Sequence, residues 1–546
     1  MNKVAHYLQE HVVGEVMTSS DARKYFSTDN SIFSVAPSVI VYPKNENDVR
    51  KTARFTWQLA ERGRIIPITA RGSGTDLTGA AIGSGIMLAF PAHMGQIQYM
   101  NQKEGIVTVQ AGMNFGKLQQ LLISFDHFIP AAPSSFEYST VGGAVANNTS
   151  SMRSLKYGDM RSYVSGLRVV LANGEVIETG KLNKKELSRK LGLATFEGEI
   201  YRAMDALLEE NKEVVEKSVL NVTKNASGYD LADIKVKDAS FDLTPLFVGS
   251  QGTLGLITEI TLNGEILGGD PDLIIAYFDK AEDVQAVVLE LRENEENIPS
   301  AIELVDQNLL DAVANINPNY LKDVIAAPYP KFTLIVEFDD EKEHKQRRLV
   351  KRAIKILQKY SKVVIHENDE EKMKNIWKVR EASSILSGHN QGQLNPLPLI
   401  DDGIVPVDKL SSFINVIYGQ FSKEHIQVAV WGHGGDANLH VQPYLNLGQV
   451  GDRQRAFRML EEYHRQIRDM GGSITAQYND GRLRGPYLDK NYTDDVYKLF
   501  QKVKKIFDPY NVLNPGVKIN VSLDDVKPLV RSEYSLNHIY DHLPLS

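Results

Sequence analysis

A chain of 546 residues is too long for one ordinary hydrophobic core and calls for two or three domains. Its 61 Lys+Arg against 69 Asp+Glu give a formal charge of −8, which excludes the basic footprint of a nucleic-acid-binding protein. The absence of cysteine excludes disulfides, thiolate-bound iron–sulfur clusters and a flavin attached through sulfur.

The first residues (MNKVAHYLQEHVVGEVM) lack an apolar core before a small-residue cleavage site, and no apolar run approaches a membrane span. The expectation is a cytoplasmic protein, with association at the inner face of a membrane compatible with it. Val39–Tyr42 reads as a strand closed by Pro43. Asn45 to Asn47 offer caps for a helix in which Val49, Ala53, Thr56 and Ala60 recur until Gly63. A second strand over residues 65–69 leads into Arg71-Gly-Ser-Gly-Thr-Asp-Leu-Thr-Gly79. Another follows at 86–90, and residues 97–100 with Ile106–Gln110 read as a hairpin. Short strands and glycine loops continue to Leu267, and Gly268-Gly269-Asp270-Pro271 marks a domain boundary. Beyond it come a strand at 273–278, a helix at 281–293, the strand Phe332–Phe338 and a charged helix at 341–360. A helix at 493–507 stops at Asp508-Pro509, and everything after Asn520 reads as polar tail.

Glycines directly after a strand let backbone N–H groups approach a phosphate. The spacing around Gly72 and Gly74 is not that of the dinucleotide fingerprint, because Leu77 stands where its third glycine is required. Taken alone, each glycine cluster is as readily a tight turn as a cradle. Several follow in order: PSS at 133–135, TVGGAVANN at 140–148, KYG at 156–158, VSGLRVVLANGEV at 164–176 and GSQGTLGLITEI at 249–260.

This ordered set resembles the FAD-binding domain of the vanillyl-alcohol oxidase and p-cresol methylhydroxylase superfamily. Within it the resemblance is to the branch of glycolate oxidase subunits, D-lactate dehydrogenases and D-2-hydroxyglutarate dehydrogenases. It runs from about Ser38 to Lys518 and includes Phe507-Asp508-Pro509 with Leu513-Asn514-Pro515-Gly516. The resemblance implies an α+β fold: a two-subdomain FAD-binding domain of the p-cresol methylhydroxylase type plus an α+β cap, or substrate, domain. The expected division is 1–267 for the N-terminal segment and flavin domain, 268–500 for the cap, and 501–546 for a segment returning to the flavin domain and then a tail. By motif match, Gly72, Ser73, Gly74, Thr75 and Asp76 line the pyrophosphate, and Pro133, Ser134, Thr140, Gly142, Gly143 and Ala146 contact diphosphate and flavin. Ile257 lies toward the adenine, and Arg71, Gly79, Asn147, Gly252 and Asn514 complete the cofactor-binding set. Gln251 departs from the glutamate frequent in the family. Without cysteine, and with no histidine in the first glycine loop, the FAD is expected to be non-covalent.

In the second domain, Trp431-Gly-His-Gly-Gly-Asp-Ala-Asn-Leu-His440 reads as a hairpin, with strands at 426–430 and 439–442, that places His433 and His440 opposite each other. Two imidazoles so placed are metal ligands, a base with its orienting partner, or hydrogen-bonding groups within a hairpin. The segment resembles the family's Gly-His-x-Gly-Asp-x-Asn-Leu-His motif, whose histidines bind a divalent metal in several members together with a Glu-His pair further on. Here Gln477 and Tyr478 stand in those two places. An amide is a poor substitute for a carboxylate on a dication such as zinc, and an unperturbed tyrosine is a poor base at neutral pH. His433 or His440 is therefore the expected base, with Tyr478 as a hydrogen-bonding partner. Trp377-Lys-Val-Arg-Glu381 resembles a family segment whose arginine grips the substrate carboxylate, which assigns that role to Arg380; a helix-surface ion pair is the other reading. Ile400 falls where a basic residue is frequent and points to a changed anion preference.

The implied activity is oxidation of a small 2-hydroxy acid, of D-lactate or D-2-hydroxyglutarate type, by hydride transfer to flavin N5. Electrons then pass to an external acceptor: a quinone, an electron-transfer flavoprotein or oxygen. A homodimer is compatible with the sequence. A sugar or alditol oxidase, a flavin-binding protein that has lost turnover, and a metal hydrolase built on His433, Asp436 and His440 are the alternatives, the last leaving the glycine segments unexplained.

Overall fold

The computed structural model describes residues 3–235, 240–294, 297–322, 324–387 and 394–533. Its N-terminal half holds two sheets. In the first, the edge strand Glu15–Met17 runs antiparallel to Val39–Tyr42, which pairs in parallel with Ile86–Ala89 and then Ile68–Arg71. The second is an antiparallel five-stranded sheet, in spatial order Ile97–Asn101, Ile106–Gln110, Leu256–Asn263, Val164–Val170 and Val176–Glu178. One apolar core joins both sheets to the helices Glu46–Glu61, Phe115–Ile123 and Phe196–Glu210.

The strand expected at 65–69 instead occupies Ile68–Arg71. Pro67 has no N–H for a ladder, and its carbonyl accepts from Ile86 N at 2.8 Å, so pairing begins only after it.

The cap is a six-stranded antiparallel sheet, ordered Val364–Glu367, Asp272–Phe278, Phe332–Phe338, Ala301–Asp306, Val430–His433 and Asn438–Val441. Alternate residues face opposite sides, as strand geometry requires. Ile274, Ala276, Ile302 and Leu304 pack under the helices Ala281–Arg292, Glu343–Leu357, Leu410–Lys423 and Val450–Asp469. Leu273, Ile275, Val305 and Trp431 pack on the other side under Gln307–Ile316 and Glu370–Ser387. That second face carries the chemistry.

The chain returns to the first core before residue 501. Leu488, Tyr492, Val496 and Leu499 are buried there together with Phe507 and Leu513. The tail expected after Asn520 is also shorter. Helix Leu523–Val526 is followed by a turn whose Val530 bridges Phe33, and Val526 and Val530 join the cap core. Backbone hydrogen bonds from Ser34 N to Leu529 O at 2.9 Å and from Arg531 N to Ile32 O at 3.0 Å also fasten it. The rest of the expected tail, residues 534–546, lies outside the described residues.

Candidate active site

The strand Ile68–Arg71 delivers the first glycine loop, and the loop is organised by Asp76. Its Oδ2 accepts from Thr78 N at 2.9 Å and Ala80 N at 2.8 Å, and Oδ1 accepts from Asn147 Nδ2 at 3.2 Å. Arg71 points away from the loop's open side: it is 2% exposed, donates to Thr28 O at 2.8 Å and lies over the Phe26 ring. Asn514 is likewise internal, donating to Ala80 O and Gln251 O at 2.9 and 2.8 Å and accepting from Thr69 Oγ1 at 3.0 Å. It fastens the returning segment to the cradle. Thr75 Oγ1 meets Ser139 Oγ at 3.1 Å, and Ser73 is half-buried.

The glycines divide into two kinds. A Cβ at Gly72 would overlap Thr140 Oγ1, one at Gly79 would lie 2.8 Å from Phe33, and one at Gly142 would lie 2.6 Å from Ala111 O. Gly74 has φ +79° and closes on Arg71. These glycines let protein pack on protein. Gly143 is different, since a Cβ there meets only Thr140 Oγ1 at 3.1 Å, and at Gly252 it meets nothing nearer than Ala70 Cβ at 3.9 Å. Both leave an open face to which a ligand can come close. Thr140 caps the helix Val141–Asn147, accepting from Gly143 N at 3.1 Å. Pro133 and Ser134 form the turn before it, closed by Phe136 N to Pro133 O at 2.9 Å. Ala146 is half-buried and its carbonyl accepts from Gln251 N at 3.0 Å, and Ile257 is 9% exposed at a bulge in its strand. Gln251 both donates, to Asn147 Oδ1 at 2.9 Å, and accepts, from Gly481 N at 2.8 Å. A carboxylate could not do both, so the amide fits this position.

The cap contributes a compact charged cluster on the sheet face with Trp431. His433 and His440 are not directly opposite: Trp431 pairs with His440, and His433 with Asn438. They are diagonal neighbours on one face, with ring centroids 5.5 Å apart. Each imidazole is anchored at Nδ1 by a buried carboxylate. His433 Nδ1 meets Glu303 Oε1 at 2.7 Å and His440 Nδ1 meets Asp401 Oδ1 at 2.9 Å. Both Nε2 atoms turn toward Gln477, whose Nε2 lies 3.2 Å from His440 and whose Oε1 lies 3.2 Å from His433. Oε1 also accepts from Ser150 Oγ at 2.8 Å, which fixes the amide's orientation. Asp402, held at φ +70°, shapes the segment by accepting from the backbone N–H groups of Ala476, Gln477 and Tyr478.

Glu303 has no exposed side-chain surface and also accepts from Arg380 Nε. Burial pushes its carboxyl up, but the His433 and Arg380 charges outweigh it and hold it down at about 2. Burial pushes His433 down to about 4, against the attraction of Glu303 and with Lys224 acting in the same direction as burial. His433 Nδ1–H donates to the Glu303 carboxylate, and Nε2 faces the Gln477 carbonyl oxygen. Tyr478 lies over His440, ring centroids 5.4 Å apart, and burial raises its phenol well above the usual value, leaving it a donor. Ile400 is fully buried in the cap core and does not line this cluster.

The flavin domain closes directly against these residues. Besides Ser150, Arg153 makes a two-pronged pair with Glu337 at 2.7 and 3.0 Å, and Lys156 and Tyr157 hold Asp339 at 2.6 and 2.8 Å. The sequence motifs did not mark Glu303, Ser150 or Lys224. Glu303 did leave a signal: an acid within the otherwise apolar run AIELV demands a buried partner. Ser150 and Lys224 left none.

For the metal, among the described residues no group of three or more His, Cys, Asp or Glu side chains is arranged to hold an ion. Gln477 lies between the histidines, and its amide is a weaker ligand for a dication than a carboxylate in that place. For FAD, the open faces at Gly143 and Gly252 fit the approach of an extended phosphate-bearing ligand.

Residues 37–180 match the family described as FAD binding domain, and residues 272–517 match FAD linked oxidases, C-terminal domain. The D-2-hydroxyglutarate dehydrogenase of Escherichia coli is 28% identical over 94% of this chain, and that of Haemophilus influenzae 26% identical over 94%. In both cases the match covers 51% of the relative, so the chain spans about half the length of these proteins. The glycolate oxidase subunit GlcD of Bacillus subtilis is 27% identical, covering 88% of each chain. Among solved structures, 4-ethylphenol oxidase from Gulosibacter chungangensis superimposes with a TM-score of 0.68 at 12% identity, covering 95% of this chain and 97% of that one. Alkyldihydroxyacetonephosphate synthase does so at 0.63 and 15%, covering 94% and 86%. At these identities the structures establish the fold alone. The chain thus carries an FAD binding domain followed by an FAD linked oxidase C-terminal domain, and it is similar to D-2-hydroxyglutarate dehydrogenases and a glycolate oxidase subunit.

Proposed function

We propose that this protein oxidises the hydroxyl-bearing carbon of a small 2-hydroxy acid, of D-lactate or D-2-hydroxyglutarate type, and passes the electrons to an external acceptor. The observation that carries it is the cluster of Arg380, Glu303, His433, Gln477, His440 and Tyr478, closed by Ser150 against the flavin-binding domain. Gly143 and Gly252, with the capped turn at Thr140, would hold non-covalently bound FAD, which supplies a hydride acceptor for the substrate carbon.

Arg380 keeps its orientation through Glu303 and Ser383, the latter at 3.2 Å, and its remaining N–H groups suit a carboxylate. Glu303 thereby positions both the group that grips the acid and the imidazole beside it. With Nδ1–H committed to Glu303, His433 sets Nε2 3.2 Å from Gln477 Oε1, an oxygen that can only accept. We assign the base for the substrate hydroxyl to His433, whose protonated ring would donate from Nε2 to Gln477 Oε1. The lone pair of His440 is already covered by the amide N–H, which makes it an orienting group. Tyr478 donates to a substrate oxygen.

Anaerobic titration of the FAD-loaded protein with a panel of D- and L-2-hydroxy acids, sugars and alditols tests this reading. The flavin band should bleach with a D-2-hydroxy acid. Bleaching by a sugar or alditol alone would replace it with the neutral-substrate oxidase, and no bleaching by any compound would refute catalysis.

A further inference from the structure

The two imidazoles meet at the Gln477 amide, and a buried ammonium stands behind that amide. Lys224 comes from the flavin domain, in the loop that follows helix Lys212–Glu216, and its side chain is 3% exposed. Its Nζ donates to Ser150 Oγ at 3.1 Å, Ser154 Oγ at 3.0 Å and Gln477 Oε1 at 3.4 Å. It lies 3.6 Å from Asp436 Oδ2, in the turn that joins the two histidine strands, and Ser154 Oγ donates to that carboxylate at 2.6 Å. Three N–H donors therefore meet three hydroxyl or amide oxygens, beside one buried carboxylate. The ammonium and the amide are matched, and both act on the histidine pair.

We propose that Lys224 takes the place of a divalent metal in this site. Its ammonium, paired with an Asp436 that Arg292 also approaches, joins Ser150 in holding the Gln477 oxygen toward His433 and excludes a dication from the two imidazoles. Lys224 is thus a positioning residue acting through Gln477. A glutamate at position 477 would pair with this ammonium before it could serve a metal, so the identities of residues 224 and 477 are coupled. The inference rests on the proposed function only in taking the site to be catalytic.

Equilibrium dialysis of the FAD-loaded protein against Zn²⁺, read by atomic emission, compares the native chain with Q477E, K224M and K224M/Q477E. The native chain and Q477E should bind Zn²⁺ weakly, and the double variant should bind at least ~10-fold more tightly than Q477E, the scale on which neighbouring groups alter a metal site. Equal affinity of Q477E and the double variant overturns the proposal, as does stoichiometric Zn²⁺ in the native chain. If removal of Lys224 prevents folding, Q477E decides alone: tight Zn²⁺ binding with the ammonium still present contradicts exclusion, and weak binding supports it. Because the readout is metal content, failure of every hydroxy acid to bleach the flavin would count against the proposed function and leave this result standing.

Discussion

The two halves of the site are made in different ways. In the flavin domain, the surface left open for a ligand is backbone at Gly143 and Gly252, and side chains such as Asp76 and Asn514 are spent holding loops in place. In the cap, the working atoms are side chains, and each is committed to a buried partner: His433 and Arg380 to Glu303, His440 to Asp401, Gln477 to Ser150. A backbone-built surface fails by steric intrusion, locally and by small amounts. A cluster of buried charges fails as a unit, because loss of one member strands the others without solvent to compensate.

H433N removes the assigned base and should slow anaerobic flavin reduction by ~10²–10⁴-fold, whereas H440N should cost much less. Equal losses would mean that the base is not distinguished by Gln477. E303Q leaves Arg380 and His433 without their shared anion, and its urea midpoint should report a loss of about 3–5 kcal/mol. A loss below about 1 kcal/mol, the range of exposed pairs, would show that the cluster is not desolvated as described.

Acid should act through the same residues. The folded-state value of His433, about 4, lies below its ordinary 6.5, so the neutral form is favoured by folding. Stability tied to it is complete above 6.5 and is lost as pH falls through about 4, with the unfolded chain taking up the proton first. Urea midpoints measured between pH 7 and 4 should fall less steeply for H433N than for the native chain. R380K keeps a charge but loses the planar fork, and should raise KM for the acid by ~10–100-fold with a smaller change in kcat. Unchanged KM would leave Arg380 as a brace for Glu303.

The smallest effects belong to the cradle. G72A forces a methyl group onto Thr140 and should destabilise the apoprotein by roughly 1–3 kcal/mol. G143A should leave apoprotein stability within about 0.5 kcal/mol and weaken FAD binding instead. Thermal melts with and without added FAD separate the two.

The ordering of the glycine segments made the flavin domain legible, because a backbone surface needs the same small residues in consecutive positions. The hairpin motif made His433 and His440 legible, since the strands it joins carry both, whereas Gln477 and Tyr478 were legible only through the family resemblance. Glu303 and Lys224 were not. Glu303 is separated from His433 by 130 residues and Lys224 from Gln477 by 253, and only the pairing of Ala301–Asp306 beside Val430–His433 and the closure of the domains bring them in. The roles of individual glycines were also hidden. Whether Gly72 faces a phosphate or a threonine depends on what the next loop does, and local sequence does not record it.

Hydride transfer from C2 is tested most directly by the rate of flavin bleaching after anaerobic mixing of the FAD-loaded protein with a D-2-hydroxy acid carrying deuterium or hydrogen at C2. Hydride removal from that carbon predicts bleaching, with the deuterated acid reacting severalfold more slowly in the native chain. Absence of bleaching, or bleaching at one rate for both acids when the chemical step is isolated by H433N, would contradict it.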